Sequence, residues 1–232
     1  MALAGRKDAN VPDSNVANWP LTSLRLRTGR LLLRPMVEAD LAPLAACIPD
    51  DVDQNPALPS FPGRVGRAAR GTAVYQTYWH SVGTWRPESW NLLFVVLRDD
   101  VPIGVQGLEA DNFVERRTVD SSSWLVTEAR GRGHGKGMRL AILALAFDAL
   151  AAEVAETSAW HDNAASLGVS RALGYVDNGV HRHADRGRIG DLVHMRLTRD
   201  TWRARHADHD VRIEGLGQCL SFFGLAADPP TA

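Results

Sequence analysis

Few features of this 232-residue sequence suggest a secreted, membrane or metal-binding protein. Its two cysteines, Cys47 and Cys219, lie far apart in the chain and form neither a disulfide framework nor the spacing of a metal site. No run approaches the roughly 20 apolar residues that cross a bilayer, and the opening segment MALAGRKDAN has no apolar signal core. These absences predict a cytoplasmic protein that makes no membrane contact.

A large net charge of one sign is also lacking. The 26 lysines and arginines nearly balance the 27 aspartates and glutamates, so no overall field attracts nucleic acid or anionic lipid, and a basic site must be local. Nucleic acid is therefore not an expected partner, apart from the weak alternative of one basic groove for RNA. Histidines cluster near 181–194 and 206–209 without a cysteine or a clear further ligand. Because a structural zinc site needs four ligands, we expect no metal.

The length suits one domain with terminal additions. Residues 1–20 are polar and rich in Asn, Asp and Pro, which predicts a flexible arm. We expect the main domain over residues 21–205 and a C-terminal extension over 206–232. The stretch from Val211 to Phe223 is apolar and β-prone with nothing obvious to cover it, so the extension is predicted to add a strand or to contact a partner subunit in a homodimer.

Hydrophobic periodicity predicts an α/β protein of element order β-αα-βββ-α-β-α-ββ, with a central, mostly antiparallel mixed sheet flanked by helices. The clearest signal is a hairpin, because two β-rich runs at 91–97 and 101–110 flank the polar turn at 98–100. Residues 24–36 are expected to form one strand with a bend at Thr28-Gly29. A helix over 67–85 carries Val74, Tyr78, Trp79 and Val82 at helical spacing, a pattern typical of a core face.

Glycine occupies every second position from 131 to 137 in the stretch RGRGHGKG. A P-loop needs Ser or Thr after Gly-Lys, but Gly137 follows Lys136, and no register fits the G-x-G-x-x-G dinucleotide motif. What remains is Arg130-x-x-Gly133-x-Gly135, between a strand-like stretch at 123–126 and a long helix predicted over 138–152. In that setting main-chain N–H groups and the positive end of the helix converge on an anion. A basic surface turn is the alternative.

These residues, together with the element order, resemble the coenzyme A site of the GNAT acyltransferase superfamily, whose motif is Gln/Arg-x-x-Gly-x-Gly/Ala. The segment TGRLLLRP at 28–35 resembles the T-x-R-L-x-L-R-P opening of the ribosomal-protein N-acetyltransferase-like (RimJ/RimL) branch. Asn163-x-x-Ser166, followed by Leu173-Gly174-Tyr175, resembles that branch's N-x-x-S…L-G-F signature. The likeness spans about residues 22–200. Residues 119–125 and 177–179 look similar to a bacterial subgroup in which succinyl and other acyl groups are considered.

The resemblance implies an enzyme that transfers an acyl group from acetyl-CoA or another acyl-CoA to a primary amine of a small molecule or a protein N-terminus. It also implies that main-chain amides hold the pyrophosphate, that the pantetheine arm follows a strand, and that Asn163 orients the arm. The implied coenzyme-binding residues are Trp124, Leu125, Val126, Arg130, Gly131, Arg132, Gly133, His134, Gly135, Lys136, Gly137, Asn163 and Ser166. A helix cap is an equally good explanation of Asn163.

An amine attacks a thioester only when it is neutral, so a base is useful. Asp120 is the first candidate because it begins the strand that leads to the acyl site and aligns with an acidic position of the branch. Glu109 and Asp111 are alternatives, and a solvated strand-end carboxylate explains Asp120 equally well. Many relatives place a tyrosine where this sequence has Ser170. The departing thiolate would therefore take its proton from Ser170 through water, from Tyr175, or from no protein group.

The acceptor cannot be read from the sequence. Aromatic side chains near the expected acceptor loops fit a bulky small molecule at least as well as a peptide. The predicted substrate-binding residues are Tyr78, Trp79, Trp85 and Glu109. Two alternatives stay open: a non-catalytic acyl-CoA binding module, which Ser170 motivates, and an acyltransferase whose donor is tethered to a carrier protein.

Overall fold

The structure is a computed structural model that describes residues 18–53, 55, 58–185 and 187–226. In this part of the chain, nine strands form one sheet. The strands are β1 (Arg25–Thr28), β2 (Leu31–Pro35), β3 (Trp90–Arg98), β4 (Val101–Ala110), β5 (Thr118–Leu125), β6 (Val154–Trp160), β7 (Val176–Asp185), β8 (Arg188–Thr198) and β9 (Arg212–Glu214). Their order is β7-β8-β6-β5-β4-β3-β2-β1-β9. Of the pairs between these strands, β5–β6 is parallel and the others are antiparallel. The mixed, mostly antiparallel sheet expected from the sequence is confirmed.

Helices cover both faces of this sheet. They are α1 (Glu38–Cys47), α2 (Gly66–Gly83), α3 (Phe113–Arg116), α4 (His134–Ala144), α5 (Ala164–Ala172) and α6 (Arg199–His206). The helices α1 and α2 pack on one face, and α4 and α5 pack on the other, over the larger core. Among the described residues, no helix is long and apolar enough to cross a membrane.

The uninterrupted apolar run of β3 is explained by these two layers. Successive side chains of a strand point to opposite faces of the sheet. Phe94 and Val96 therefore join the core beneath α4, whereas Leu93 and Val95 join the core beneath α1 and α2. A strand that is buried on both faces has no position left for a polar side chain in its middle.

The segment expected to be one bent strand is instead a hairpin. β1 and β2 pair antiparallel with Leu26 opposite Leu33, and the chain reverses at Gly29, where φ is +51°. Glycine adopts a positive φ without the steric cost that a side chain would add. The periodicity was correct, since Leu26 and Leu33 are both fully buried. The prediction missed that the polar Thr28-Gly29 step reverses the chain rather than bending it.

The expected buried stripe on α2 is also wrong in part. Val74 is buried and Tyr78 packs against the same core, but Trp79 is 53% exposed and Val82 is 39% exposed. Adjacent helical residues lie about 100° apart around the axis, so Trp79 cannot share the face of Tyr78. The helix α4 differs as well: it begins at His134 rather than 138 and continues through a π-helical turn over Leu145–Ala149.

The C-terminal extension is covered by the chain itself. β9 pairs with β1, as the prediction of an extra strand anticipated, and Cys219 and Phe223 in the following 3₁₀ helix are fully buried. The premise that nothing covers this segment is therefore wrong, and the homodimer stays a prediction without that support. Trp19, which falls within the arm predicted over residues 1–20, lies against the ring of Phe222 at 5.2 Å, while residues 1–17 lie outside the described part and the arm stays a prediction there.

Candidate active site

The parallel strands β5 and β6 form a fork. They pair only at Thr118 with Val154 and at Val119 with Ala155, after which β5 continues beside β4 and β6 continues beside β8. At the separation point the Thr157 hydroxyl donates to the Ser121 carbonyl over 3.3 Å. An unpaired strand edge can accept main-chain hydrogen bonds from an extended ligand. The fork can therefore take a narrow, extended arm between the two strands.

The glycine-rich stretch lies where the predicted strand gives way to a helix, beyond the open end of β5. Gly131 and Gly133 have φ values of +69° and +82°, and a Cβ added at either would meet nothing within 4 Å. These two glycines are thus required by backbone conformation rather than by lack of space. The first amide to bond within the helix is that of Gly137, to Gly133 O at 3.1 Å. The preceding amides of the first turn have no intrahelical acceptor, which makes this helix start suited to an anion.

Other residues of this stretch contact neighbouring parts of the protein itself. A Cβ at Gly137 would lie 3.0 Å from Leu31 Cδ1, so this glycine allows α4 to approach β2 closely. The His134 ring lies with Nδ1 3.0 Å from the Ala129 carbonyl, which turns the ring back onto its own loop. Arg132 and Lys136 are exposed and available to charged groups of a ligand.

Arg130 joins the end of β5 to the loop that follows α1. Its Nε donates to the Leu125 carbonyl at 3.0 Å, and its two terminal nitrogens lie 2.5 and 2.7 Å from the carboxylate of Asp51. The hydrogen bond from this guanidinium lowers the pKa of Asp51. The sequence singled out Arg130 as a coenzyme residue but contained no sign of this partner 79 positions away.

The residues from the second signature have local partners. Asn163 caps α5, because its Oδ1 accepts from the Ser166 amide at 3.0 Å. The Ser170 hydroxyl donates to the Ser166 carbonyl at 3.1 Å within the same helix. Tyr175 is 3% exposed, and burial raises the pKa of its phenol. The cap at Asn163 is real, whereas proton donation by Ser170 or Tyr175 stays a prediction.

Three polar side chains form a row across adjacent strands. Asn91 of β3 lies opposite Glu109 of β4, and Glu109 lies opposite Asp120 of β5. The Asn91 amide donates to Glu109 Oε2 at 2.8 Å. Burial, and then the charge of Asp120, raise the pKa of Glu109, and burial also raises the pKa of Asp120. A carboxylate whose pKa is raised toward neutrality is a better proton acceptor for catalysis, so the row can act as a base.

A buried polar group lies behind the fork. Arg139 of α4 is 4% exposed and donates from Nη1 to the Thr157 hydroxyl at 3.3 Å. The Ser121 hydroxyl, the Arg139 Nε and the Tyr175 hydroxyl make no hydrogen bond of good geometry among the described residues, but Arg139 and Ser121 lie near enough to the Tyr175 hydroxyl to act against the rise of its pKa. The positive charge of Arg139 acts to lower the pKa of Asp120, against the effect of burial. Arg139 was not among the residues predicted from the sequence, because an arginine within an apolar helix has no local motif.

Two cavities lie on the face of the sheet that α2 covers. One has a volume of about 540 Å³ and is bordered by polar residues, and the other has a volume of about 460 Å³ and mostly apolar walls. We call them the polar cavity and the apolar cavity. They share Asn55, Asn91 and Glu109, whereas Asp120 lines only the polar cavity. The row of Asn91, Glu109 and Asp120, which we call the carboxylate row, therefore reaches the junction of the two cavities through Glu109.

The helix α2 borders both cavities with a single stripe. Ala73 and Thr77 line the apolar cavity, and His80 and Thr84 line the polar cavity. Positions three or four apart share a helix face, which places these small or polar residues, rather than the aromatic ones, over the site.

The structure places only one of the four predicted substrate-binding residues in the lining of these cavities. Glu109 lies at the junction, but Tyr78, Trp79 and Trp85 are not among the residues that line either cavity. The Trp85 indole donates to the Phe222 carbonyl at 2.9 Å and stacks on Trp90, so it belongs to the packing of the C-terminal extension. Their roles at the acceptor stay predictions without geometric support. In the described part of the chain no three His, Cys, Asp or Glu side chains are grouped to hold a metal ion.

A forked parallel pair of strands, with the N-terminus of a helix at its open end, forms a site suited to an extended ligand that carries an anionic group at one end. The sequence model of the acetyltransferase (GNAT) domain matches residues 30–176. This match covers more than half of the chain, so the chain belongs to the GNAT acetyltransferase family, whose members use acetyl-CoA. The family and the enzyme class expected from the sequence are confirmed.

Solved structures share the fold at low sequence identity. Mycobacterium smegmatis RimJ in complex with CoA-disulfide is 18% identical, with a TM-score of 0.62 over 88% of this chain and 95% of that chain. A chimera of the spermidine N-acetyltransferase SpeG from Vibrio cholerae and hSSAT is 16% identical, with a TM-score of 0.57 over 76% of this chain and 100% of that chain. The RimJ structure lies on the branch expected from the sequence.

Proposed function

We propose that this protein transfers an acyl group, acetyl in the simplest case, from free acyl-CoA to a primary amine by direct attack. The observation that carries the proposal is the position of the fork. It opens at one end toward the anion-binding start of α4, and the carboxylate row lies on the neighbouring strand pair. A donor held in the fork thus has its phosphates and its thioester near groups of suitable chemistry.

The donor would be held by main-chain groups. The amides from Arg132 to Lys136 would bind the pyrophosphate, and the exposed Arg132 and Lys136 would add charge. The pantetheine arm would lie along Trp124-Leu125-Val126 as an added strand. A main-chain N–H of β5 would polarise the thioester carbonyl, since a fixed dipole aimed at the developing oxyanion lowers the barrier.

The carboxylate row would take the proton from the amine. We place Glu109 before Asp120 as the base, because Glu109 borders both cavities and accepts the hydrogen bond of Asn91. The amine nitrogen bonds to the acyl carbon, the carbon–sulfur bond breaks, and the amine gives up one proton. The departing thiolate takes up one proton. No dedicated acid is required for this balance, which suits the buried positions of Ser170 and Tyr175.

The test begins with ligand binding, because a ligand that binds only the native state raises its melting temperature. Melting is measured with coenzyme A and with acetyl-, propionyl-, malonyl- and succinyl-CoA, for the wild type and for Gly133→Glu. Gly63→Glu is a matched control, since Gly63 also has a positive φ, +79°, and open space. We expect a shift that Gly133→Glu loses and Gly63→Glu keeps. The acyl-CoA with the largest shift would be the donor for turnover.

The outcomes separate the alternatives. No shift with any of these ligands, in a folded sample, would contradict a free coenzyme donor and favour a carrier-bound one. Binding without turnover of any amine would favour a non-catalytic module. Turnover that Glu109→Gln and Asp120→Asn leave unchanged would remove the assignment of the base without affecting the proposed reaction.

A further inference from the structure

We propose that the acceptor is a small primary amine with an apolar body. Its amine would lie at Glu109 and its body in the apolar cavity. This inference rests on the proposed function and names the substrate class of the same site.

The walls of the apolar cavity carry the first part of the argument. Apolar side chains of three structural layers meet there: Ile48 after α1, Val74 of α2, and Leu93, Val105 and Trp124 of the sheet. An apolar ligand surface gains from burial against such walls. A peptide backbone would instead lose its hydrogen bonds to water there, which is costly unless each group is paired.

The position of the fork selects this cavity over the polar one. Ser122, Ser123 and Trp124 of β5 and Ser158 of β6 line the apolar cavity, and none of them lines the polar cavity. The polar cavity is bordered instead by Thr118 and Val119, where β5 and β6 are still paired, and by Asp120 and Glu156, the next residue of each strand. A thioester that emerges from the fork therefore reaches the apolar cavity, and an amine must meet it there.

The charges at the two ends of the apolar cavity favour one ammonium group. Glu109 receives a hydrogen bond from the neutral Asn91 amide, and no salt bridge with a cation is found for it among the described residues. At the other end, the Asp53 carboxylate accepts from the Trp160 indole at 3.0 Å and lies 3.6 Å from Arg188. The Asp53 charge is thus already compensated, and Asp185, which also lines this cavity, has an interaction partner of its own. A second ammonium group at that end would compete with Arg188.

The loop after α1 makes the cavity a preformed pocket. Asp50 pairs with Arg70 of α2, Asp51 pairs with Arg130, and Asp53 binds Trp160. These contacts hold the loop to α2, to the segment that follows β5, and to β6. Val52, between two of the anchored residues, lines the cavity. A pocket of this kind, largely apolar and with one convergent polar group, is typical of small-molecule sites.

The experiment compares three acceptors with the acyl-CoA that binds best. They are 2-phenylethylamine, 1,4-diaminobutane and a tetrapeptide with a free N-terminal serine, and thiol release is the measured quantity. We expect kcat/KM for 2-phenylethylamine to exceed the other two by at least about ten-fold, which corresponds to about 1.4 kcal/mol of differential binding. A higher kcat/KM for the diamine or for the peptide would overturn the inference.

Variants test the pocket directly. Thr77→Trp fills the apolar cavity from α2, and Thr72→Trp adds the same side chain to the same helix at a position that lines neither cavity. We expect Thr77→Trp to lower kcat/KM for 2-phenylethylamine by at least about ten-fold, while acyl-CoA binding and the Thr72→Trp control stay at wild-type values. If Thr77→Trp does not fold, Thr77→Leu is the smaller insertion. Equal activity of a folded Thr77 variant and the control would refute the assignment.

The two proposals fail in different ways. Absence of acyl-CoA binding by the wild type would overturn the proposed function and this inference together. Binding, with acylation of the diamine or the peptide in preference to 2-phenylethylamine, would overturn this inference alone.

Discussion

Gly104 of β4 allows the sharpest prediction about how the fork is supported. A Cβ added there would lie 2.2 Å from the Trp124 carbonyl oxygen and 3.0 Å from Leu125 Cα, both backbone atoms of β5. Ordinary contact begins at 3.4 Å, so Gly104→Ala must move β5 by about 1 Å. Overpacking of this kind costs about 1–3 kcal/mol. For a chain of this length each kcal/mol lowers Tm by roughly 2–4 °C.

The displaced strand is the one that forms one side of the fork, so binding should weaken together with stability. We expect Gly104→Ala to melt about 2–12 °C below the wild type and to bind acyl-CoA more weakly, as measured by thermal melting and by titration calorimetry. Gly83→Ala is the control, because a Cβ at the end of α2 meets nothing within 4 Å. If Gly104→Ala matched Gly83→Ala in both Tm and affinity, the close approach of β4 to β5 would not support the fork.

Three further predictions concern single side chains. The pKa of Glu109 is higher in the native state than in the unfolded chain. Just above the ordinary glutamate pKa, the native state therefore still holds a proton that the unfolded chain has lost, and the free energy of unfolding falls as pH rises. Glu109→Gln should make this fall shallower in a series of melting curves across pH, because Asp120, whose pKa is also raised, still contributes to it; an unchanged slope would contradict the prediction. Asp51→Asn should free Arg130 to bind phosphate and so strengthen acyl-CoA binding at low salt. The expected gain is up to about five-fold, because an exposed ion pair contributes about 0–1 kcal/mol. Weaker binding of acyl-CoA in calorimetry would count against this prediction. Phe223→Ala removes a fully buried ring that packs on Trp85 and Trp90, and should cost about 3–5 kcal/mol in urea unfolding. A loss of less than about 1 kcal/mol would mean that the extension is not part of the core.

Much of the fold was readable because its signals are local. The β3–β4 hairpin follows from two apolar runs around a polar turn, and the positive φ angles of Gly131 and Gly133 before α4 follow from glycines placed between a strand and a helix. Hydrophobic alternation and glycine conformation depend on neighbours within a few residues. Such features are determined by the sequence without knowledge of the partner elements.

The site itself depended on contacts between distant segments. Asn91, Glu109 and Asp120 become neighbours only through the register of three strands, and Asp51 reaches Arg130 across 79 positions. The fork exists because β6 pairs with β5 at only two positions and then continues paired with β8 alone.

The direction of α2 is the clearest case of a choice left to the tertiary structure. Its sequence offers an aromatic face at Tyr75 and Trp79 and a small, polar face through Ala73, Thr77 and His80, and both have helical spacing. Only packing against the sheet turns the second face to the cavities, because the helix rotates to bury Val74 against Leu93 and Val95. Local periodicity determined that this segment is a helix, and the burial of its neighbours determined which residues it presents to the site.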